Sequence, residues 1–297
     1  MFLLRAALPA RAGRFFSTAA AAAPLVTTEL LASRRVCVVT LNDPARLNAL
    51  TEPMGDAFAR ALAGLDLASV GAVVLRGAGD KAFSAGGDLE FLRARGAAPR
   101  AENVRTMLAF YARFLGPLRG CRVPVVAAVA GAAVGAGACL ATAADCRVVA
   151  SSARIGFTFP ALGIHAGMGG THFLPRVVGP GHAAHLLLSG EIVSGAAAAR
   201  MGWAQGGEAL GGDASAVVAA AVELAAKMAA GAPAAVRAMT RTLRAEGNHG
   251  LEEALEREAH AQARNYEGED FRRGLEAVAS KAKAPTQWTQ WAAADVP

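Results

Sequence analysis

Short apolar runs alternate with longer helical stretches over the first 190 residues of the chain. Runs rich in β-branched residues predict four strands, at Val36–Leu41, Ala72–Arg76, Val123–Val129 and Cys146–Ala150. Stretches with helical periodicity separate and follow them, at Met54–Leu65, Val104–Leu118, Gly137–Ala144 and Ala183–Leu188. Strands that alternate with helices in this way predict an α/β fold with a largely parallel sheet buried on both faces.

The strand pattern ends before residue 214, and the remaining apolar positions repeat at helical spacing. Predicted helices cover Ala214–Ala230, Pro233–Glu246 and Leu251–Ala279. We therefore expect a core domain at residues 26–190, a C-terminal helical domain at 191–283 and an extended tail at 284–297. The apolar run Val123–Leu140 contains Pro124 and several glycines. We interpret that run as a strand, a turn and a helix start, and we expect no membrane span.

The first 24 residues differ in charge from the rest of the chain. Arg5, Arg11 and Arg14 lie in an apolar stretch with alanine and serine, and the first acidic residue is Glu29. This composition predicts a mitochondrial transit peptide at residues 1–24 and a location in the mitochondrial matrix. The sequence around Phe16 also resembles a matrix-peptidase cleavage site. The alternative is an N-terminal tail without targeting meaning.

The charge of the remaining chain excludes one class of partner. The whole chain carries 30 Lys and Arg against 24 Asp and Glu, and removing the three leader arginines leaves 27 basic residues, a net charge of +3. That excess is too small for a nucleic-acid footprint, but it suits an anionic small molecule. The four cysteines have no CxxC spacing and the six histidines form no HExxH motif, so no metal site is predicted.

Two glycine-rich loops carry the candidate chemistry. Lys81–Leu89 (KAFSAGGDL) follows the predicted strand Ala72–Arg76, and Gly131–Gly137 (GAAVGAG) follows the strand at Val123–Val129. Each loop leads into a helix, where backbone N–H groups lack helical partners and attract negative charge. Loops from neighbouring strands could direct one N–H each at a single oxygen and form an oxyanion hole. Alternatively, the glycines only allow the helices to approach the sheet.

Several ordered motifs resemble the crotonase, or enoyl-CoA hydratase/isomerase, superfamily. The resemblance spans residues 26–285 and rests on RLNAL at Arg46–Leu50, AFSAGGD at Ala82–Asp88, the block from Pro124 to Gly137 with Asp145–Arg147, GIHAGMGGT at Gly163–Thr171, Leu174–Gly179, Glu258–Gln262 and Asp270–Ala277. This resemblance implies a spiral of ββα units with a C-terminal helical trimerisation domain, and a homotrimer or hexamer. It also implies an acyl-CoA thioester as substrate, with no permanently bound cofactor, because coenzyme A is part of the substrate.

The resemblance also implies roles for particular residues. The thioester carbonyl would accept hydrogen bonds from the backbone N–H groups of Gly87 and Ala136. Coenzyme A would lie against the two N-terminal motifs, and its candidate contacts are Arg46, Ala49, Phe83 and Ala85. A solvated surface arginine is the alternative interpretation of Arg46.

The chain departs from the family at its acid and base. The two glutamates of the family's hydratases match Cys139 and Phe159, and the acid of dienoyl-CoA isomerases and related hydrolases matches Gly167. The chain resembles a bacterial subgroup that combines GAGxC with FTFxxLGxHPGMG. Because phenylalanine cannot transfer protons, we do not expect the two-glutamate addition of water.

Other side chains are candidates for the missing chemistry. Cys139 could be a nucleophile near a helix N-terminus, or a small apolar residue that fills space. His165 could be a base in the loop that faces the acyl pocket, or a structural histidine. Asp88 is expected to cap the following helix. Asp145 is expected to pair with Arg147 or with backbone amides.

Three functions remain open on the sequence. The first is an enoyl-CoA hydratase/isomerase-type enzyme that stabilises an enolate with two backbone N–H groups, in mitochondrial fatty-acid or branched-chain acyl-CoA metabolism. The second is a non-catalytic homologue that acts as an oligomeric subunit or an acyl-CoA sensor. The third is hydrolysis of a CoA thioester through Cys139.

Overall fold

The structure is a computed structural model that describes residues 23–205, 211, 213–231, 236–237, 239–241, 243–244 and 251–282. The cleavage site predicted after Phe16, nearly all of the predicted transit peptide and the whole tail at 284–297 lie outside the described residues. Much of the predicted helix Pro233–Glu246 also lies outside them.

The described elements alternate between strands and helices along most of the chain. The strands are β1 Val26–Leu31, β2 Val36–Leu41, β3 Ala72–Gly77, β4 Ala82–Ser84, β5 Val125–Val129, β6 Ala132–Val134, β7 Cys146–Val149, β8 Arg154–Gly156 and β9 Ile192–Ser194. The helices are α1 Glu52–Ala63, α2 Leu89–Ala97, α3 Arg100–Gly120, α4 Ala136–Ala143, α5 Gly170–Ser189, α6 Gly195–Arg200, α7 Ala214–Ala229, α8 Leu251–Tyr266 and α9 Glu269–Ala279.

The strands form two sheets that share a repeating unit. The first sheet has the order β1-β2-β3-β5-β7 and the second β4-β6-β8-β9. Strands β2, β3, β5 and β7 are parallel, as are β4, β6 and β8, whereas β1 and β9 pair antiparallel at the edges. Each pair β3–β4, β5–β6 and β7–β8 contributes one strand to each sheet before the chain enters a helix. The predicted α/β fold and its ββα repeat are therefore confirmed.

Helices cover the first sheet because its central strands are apolar throughout. All of Val125–Val129 in β5 is buried, and so is Ala72–Leu75 in β3. Helix α7 packs on β3, β5 and β7, while α3 packs on α1 and α8. Since an all-apolar parallel strand must be covered on both faces, these helices are part of the core. Among the described helices, none combines the length and apolar character needed to cross a membrane.

Element boundaries differ from the sequence prediction where glycine or proline intervenes. The predicted helix Leu251–Ala279 is two helices, α8 and α9, because Gly268 takes an extended conformation at the start of α9. Helix α5 begins at Gly170, well before the predicted Ala183, and breaks at Gly179, whose φ of 77° is non-helical. Strand β5 begins at Val125, after Pro124, which has no N–H to donate.

The division predicted at residue 190 is not visible as a gap between packed units. Strand β9 follows that position and pairs with β8, and α7 packs on the first sheet. The separate helical domain at 191–283 therefore stays a prediction, and its first elements are part of the same core.

Of the two partners expected for Asp145, the structure shows the backbone amide and not Arg147. Its Oδ2 accepts a hydrogen bond from the Val125 N–H at 2.7 Å, as predicted for a backbone amide. Its charged partners are Arg244 at 2.5 Å and Arg119 at 3.9 Å, and not Arg147. The buried Arg147 guanidinium instead donates to the carbonyls of Thr142, Ala144 and Trp203, because its position beneath the end of α4 places those oxygens within reach.

Candidate functional site

Hydrogen bonds join the two glycine-rich loops to the N-terminal RLNAL segment. The Leu50 N–H donates to the Gly86 carbonyl at 2.7 Å, and the Ala85 N–H donates to the Leu47 carbonyl at 2.9 Å. Gly86 has a φ of 96°, and a Cβ at this position would lie 2.7 Å from the Val134 carbonyl oxygen and 3.4 Å from the Ala136 nitrogen. The first loop therefore lies directly against the second, in a conformation that only glycine adopts readily.

The second loop ends at the N-terminus of α4. Gly135 is the N-cap, with φ 53° and ψ −122°, and Ala136 is the first residue of the helix. An N–H in the first turn has no helical acceptor. Within the described part of the chain, the N–H groups of Ala136 and Gly87 make no backbone hydrogen bond. Both residues line one cavity, so two unpaired donors are available to a bound oxygen there.

The cavity has a volume of about 150 Å³ and a mostly apolar wall. Helices α2 and α3 provide one side, where the rings of Phe91 and Phe110 stack with centroids 4.8 Å apart. The polar side chains on the wall are Tyr111, Thr158, Gln262 and Tyr266, and none of the described lining residues carries a carboxylate, an imidazole or a thiol. The wall suits a hydrocarbon chain and provides hydroxyl and amide groups.

A polar network occupies the cavity wall that faces the loop at Gly163–Thr171. The Tyr111 hydroxyl donates to Gln262 Oε1 at 2.5 Å, and the Tyr266 hydroxyl donates to the same oxygen at 3.2 Å. Gln262 Nε2 donates to the His165 carbonyl at 2.9 Å. Burial raises the pKa of the Tyr266 phenol, so this group stays protonated over the physiological range.

This network explains the glycine at position 167. A Cβ there would lie 2.5 Å from both Gln262 Nε2 and the Tyr111 hydroxyl. The amide and the phenol therefore occupy the space in which the resemblance would place an acidic side chain. Sequence reasoning missed Tyr111 and Tyr266 entirely. It included Gln262 in a matched motif without assigning it a role.

The structure brings together some of the predicted site residues and separates others. Gly87, Ala136 and Ala85 line the cavity, as do the two departure positions Phe159 and Gly167. Cys139 is fully buried in α4, and a Cβ at Gly170 would lie 3.1 Å from its Sγ. The sulfur is packed against the start of α5 and is not on the cavity wall, so the geometry gives no support to its role as a nucleophile.

The structure bears on the two interpretations of His165. Its loop reaches the cavity through Ile164, Gly167 and Met168, but His165 is not among the described lining residues. Its Nδ1 lies 2.7 Å from the carbonyl oxygen of Ala166. This contact fixes the ring on the backbone of its own loop, which favours the structural interpretation over the base.

The predicted coenzyme A contacts occupy different environments. Arg46 forms ion pairs with Asp43 at 2.7 Å and Asp88 at 3.7 Å, and about half of its side chain is exposed. Its charge is therefore already balanced within the protein. Ala49 and Phe83 are buried and do not belong to the described cavity wall. All four residues remain predicted contacts.

Asp88 caps α2 as predicted. Its Oδ1 accepts hydrogen bonds from the N–H groups of Glu90 at 3.0 Å and Phe91 at 3.1 Å. The cap fixes the start of the helix that carries Phe91 and Leu92 into the cavity wall. Within the described residues, no group of three His, Cys, Asp or Glu side chains could hold a metal ion.

Comparisons with known proteins agree with this fold. The sequence model of the family described as enoyl-CoA hydratase/isomerase matches residues 32–291. A Mycobacterium tuberculosis protein named as a probable enoyl-CoA hydratase is 42% identical over 176 residues, 59% of this chain and 67% of that protein. A Rhodobacter capsulatus protein of the same name is 35% identical over 250 residues, 84% of this chain and 93% of that protein. The solved structure of an enoyl-CoA hydratase from Bacillus halodurans is similar with a TM-score of 0.76 and 25% identity, covering 85% of this chain and 99% of that one.

Proposed function

Because the chain belongs to the enoyl-CoA hydratase/isomerase family, we propose that it binds an acyl-CoA thioester and catalyses a hydratase- or isomerase-type reaction through an enolate. The observation that carries this proposal is the pair of unpaired N–H groups at Gly87 and Ala136 in one apolar cavity. The thioester oxygen would accept both hydrogen bonds. The N-terminus of α4 adds a partial positive charge, which favours the negative oxygen of the enolate.

The cavity favours a short acyl chain. Its volume of about 150 Å³ is well below the roughly 300 Å³ at which pockets for drug-sized molecules begin. The acyl group would lie between α2 and α3, against Phe91 and Phe110, while coenzyme A extends away from the cavity past Ala85.

We assign the proton donor to Tyr111. With no carboxylate on the described wall, Tyr111 places a hydroxyl in the position of the missing acid, and its hydrogen bond to Gln262 Oε1 holds its orientation. In this proposal a water molecule adds to the β-carbon of the enoyl thioester to form the enolate, and Tyr111 protonates the α-carbon. The proton lost by the added water then returns to the phenolate. Coenzyme A enters only as part of the substrate, and no further cofactor is required.

The direct test is product analysis after incubation with enoyl-CoA thioesters of four to ten carbons. We expect turnover that is greatest for the shortest chains. The same samples are assayed for binding of non-reactive butyryl-CoA by calorimetry. A folded protein that binds butyryl-CoA but converts none of these thioesters would contradict the enzymatic proposal.

The carboxylate-free wall favours a second candidate, a non-catalytic homologue that senses acyl-CoA or serves as an oligomeric subunit. A protein that only binds acyl-CoA does not need the two catalytic glutamates of the family's hydratases. One of the matching positions, Phe159 on the cavity wall, is apolar. Binding of butyryl-CoA without turnover would support this candidate. Hydrolysis through Cys139 is a third proposal, and the burial of the sulfur argues against it. A covalent acyl adduct by intact mass, abolished in Cys139→Ser, would support it.

The location and assembly are also proposals. We propose import into the mitochondrial matrix, supported by the arginine-bearing and acid-free residues 1–24. The relatives named above are bacterial, so they do not bear on this point. We also propose a homotrimer or hexamer, on the family resemblance alone. Fusion of residues 1–24 to a fluorescent reporter tests the first proposal, and light scattering of the purified protein tests the second.

A further inference from the structure

A second cavity, of about 270 Å³, is lined almost entirely by arginine. Its lining residues are Arg119, Gly120, Cys121, Arg122, Arg237, Arg241 and Arg244, and we name it the arginine pocket. Arg119 and Gly120 end α3, and Cys121 and Arg122 lead towards β5. The pocket therefore lies at the amino end of β5, whereas the acyl cavity lies beyond its carboxyl end. The two cavities share no lining residue.

The described side chains leave the arginine pocket with an excess of positive charge. Asp145 is the carboxylate that contacts it, at 2.5 Å from Arg244 and 3.9 Å from Arg119. The described ion pairs include no partner for Arg122, Arg237 or Arg241. Five guanidinium groups thus face one carboxylate, which also accepts a hydrogen bond from the Val125 N–H.

The floor of the arginine pocket is rigid. Arg244 is buried, and it donates to the carbonyls of Arg119 and Val123 as well as to Asp145. Arg119 donates to the carbonyls of Ala143 and Arg244, each at 3.2 Å. A further bond from Arg244 to the Cys121 carbonyl and a second to Asp145 use its remaining N–H donors. Arg244 therefore contributes a fixed positive charge to the pocket, and hydrogen bonds to an anion would come from the other arginines.

One hydrogen-bond donor on the floor of the arginine pocket has no partner among the described residues. Arg119 Nε is a buried donor without a hydrogen-bond partner among the described residues. Burial lowers the pKa of the Arg119 guanidinium, and the charge of Arg244 lowers it further, while Asp145 opposes both effects. The repulsion between crowded like charges is relieved by an anion. Arg122 and Arg241 are exposed at the rim, where their side chains are able to close over such an anion.

We propose that the arginine pocket binds a diphosphate group, either as inorganic pyrophosphate or as part of a nucleoside diphosphate. Guanidinium groups match phosphate oxygens in geometry and bind them through paired, charge-assisted hydrogen bonds. Five clustered arginine charges against one carboxylate favour an anion with several charges over a single carboxylate. The volume lies near the lower limit of about 300 Å³ for small-molecule pockets, so the pocket has room for a diphosphate, and an attached nucleoside would extend past the rim.

Calorimetry with pyrophosphate on the full-length protein tests this proposal. The test variant is Arg122→Gln with Arg241→Gln, because both side chains are exposed and the floor is left intact. The matched control is Arg60→Gln with Arg105→Gln, two exposed arginines on α1 and α3 that remove the same charge elsewhere. We expect the test variant to bind pyrophosphate at least tenfold more weakly than the parent, and the control to bind within about twofold of it.

Further titrations separate the sources of the diphosphate and exclude general charge effects. Binding of pyrophosphate but not ADP would identify the inorganic ion, and equal binding of both would identify the diphosphate group as the recognised unit. The proposal is overturned if sulfate at equal ionic strength binds as well as pyrophosphate. It is also overturned if pyrophosphate does not bind the parent at 1 mM, or binds the test variant unchanged; an acidic segment of a partner protein would then be the better occupant.

Discussion

The side chain at position 159 determines whether a carboxylate lies on the wall of the acyl cavity. Phe159 lies on the cavity wall, whereas Cys139 lies behind it, although both match glutamates in the family's hydratases. We predict that Phe159→Glu places a carboxylate in the cavity and that adding Cys139→Glu produces measurable hydration of crotonyl-CoA. General acid and base groups contribute about 10²–10⁴ in rate each, so even an imperfect pair is detectable by the loss of enoyl absorbance.

The control for this prediction is Phe159→Gln with Cys139→Gln, which matches the size without the charge. Both double variants are expected to be less stable than the parent, by about 1–3 kcal/mol for each buried polar group. A folded glutamate variant that binds butyryl-CoA and hydrates no faster than the glutamine variant would show that the two N–H groups do not hold the thioester where we place it.

Tyr111 gives a second prediction at this scale. Removal of its hydroxyl in Tyr111→Phe is expected to lower kcat about 100-fold with little change in KM, because a proton donor acts in the transition state. Tyr266→Phe removes the other hydroxyl bonded to Gln262 Oε1 and is the matched control. Steady-state kinetics on the best thioester provide the measurement. Equal losses in the two variants would indicate that the network only orients Gln262.

At the scale of elements, the first turn of α4 allows the role of a backbone N–H to be tested separately from the fold. Ala136 is the first residue of α4, a position where proline is tolerated because its N–H has no helical partner. We predict that Ala136→Pro keeps the fold but lowers kcat about 10²–10³-fold, the usual effect of losing one oxyanion donor. Circular dichroism and kinetics check the two parts of this prediction.

Ala214→Pro is the control for this element. Ala214 is the first residue of α7, follows the N-cap Asp213 and is not among the residues that line the acyl cavity. The same substitution there should leave turnover within about twofold of the parent. If Ala136→Pro were equally active, the N–H of Ala136 would have no part in catalysis.

Element length explains most of what was predictable about the strands from the sequence. The exception is β1, which has six residues but only partial burial and was not predicted. Strands β2, β3, β5 and β7 have β-branched runs long enough to identify, and all four were predicted. Strands β4, β6, β8 and β9 have three residues each, too few to show a period of two. They exist because β4, β6 and β8 pair in parallel and β9 closes the edge, which is a property of the tertiary structure.

In the candidate site, the features that are local in sequence were predictable, and the contacts between distant residues were not. The glycine loops that place Gly87 and Ala136 are local in sequence, and their convergence was predicted. Tyr111 and Gln262 are 151 positions apart, on α3 and α8, so no local pattern connects them. The two interpretations of His165 stayed open because spacing assigns a residue to a loop but does not set the direction of its side chain.

At the scale of the whole molecule, the core connects the two cavities through one strand. β5 leads from the arginine pocket at one end to the loop that carries Ala136 at the other, and its five residues span about 16 Å. The core that joins them contains buried thiols. Burial raises the pKa of Cys121 and of Cys37, and their mutual repulsion as thiolates raises the pKa of Cys37 further.

These thiols predict how stability changes at alkaline pH. In the unfolded chain a thiol ionises near pH 8.5, whereas in the folded protein the raised pKa keeps Cys37 and Cys121 protonated. The unfolded state therefore releases protons first, so the free energy of unfolding is fully retained below about pH 8 and falls as pH rises towards the folded pKa values. Urea unfolding under reducing conditions at pH 7.5, 8.5 and 9.5 measures this fall.

The control is the double variant Cys37→Ala with Cys121→Ala. It should make the pH dependence of the free energy of unfolding shallower, by at most about 1.4 kcal/mol per pH unit for each thiol. The pKa of Arg147 is lowered to about 10 by burial, so its opposite contribution begins only above this range. An unchanged slope in the double variant would mean that other groups control the alkaline limit of the fold.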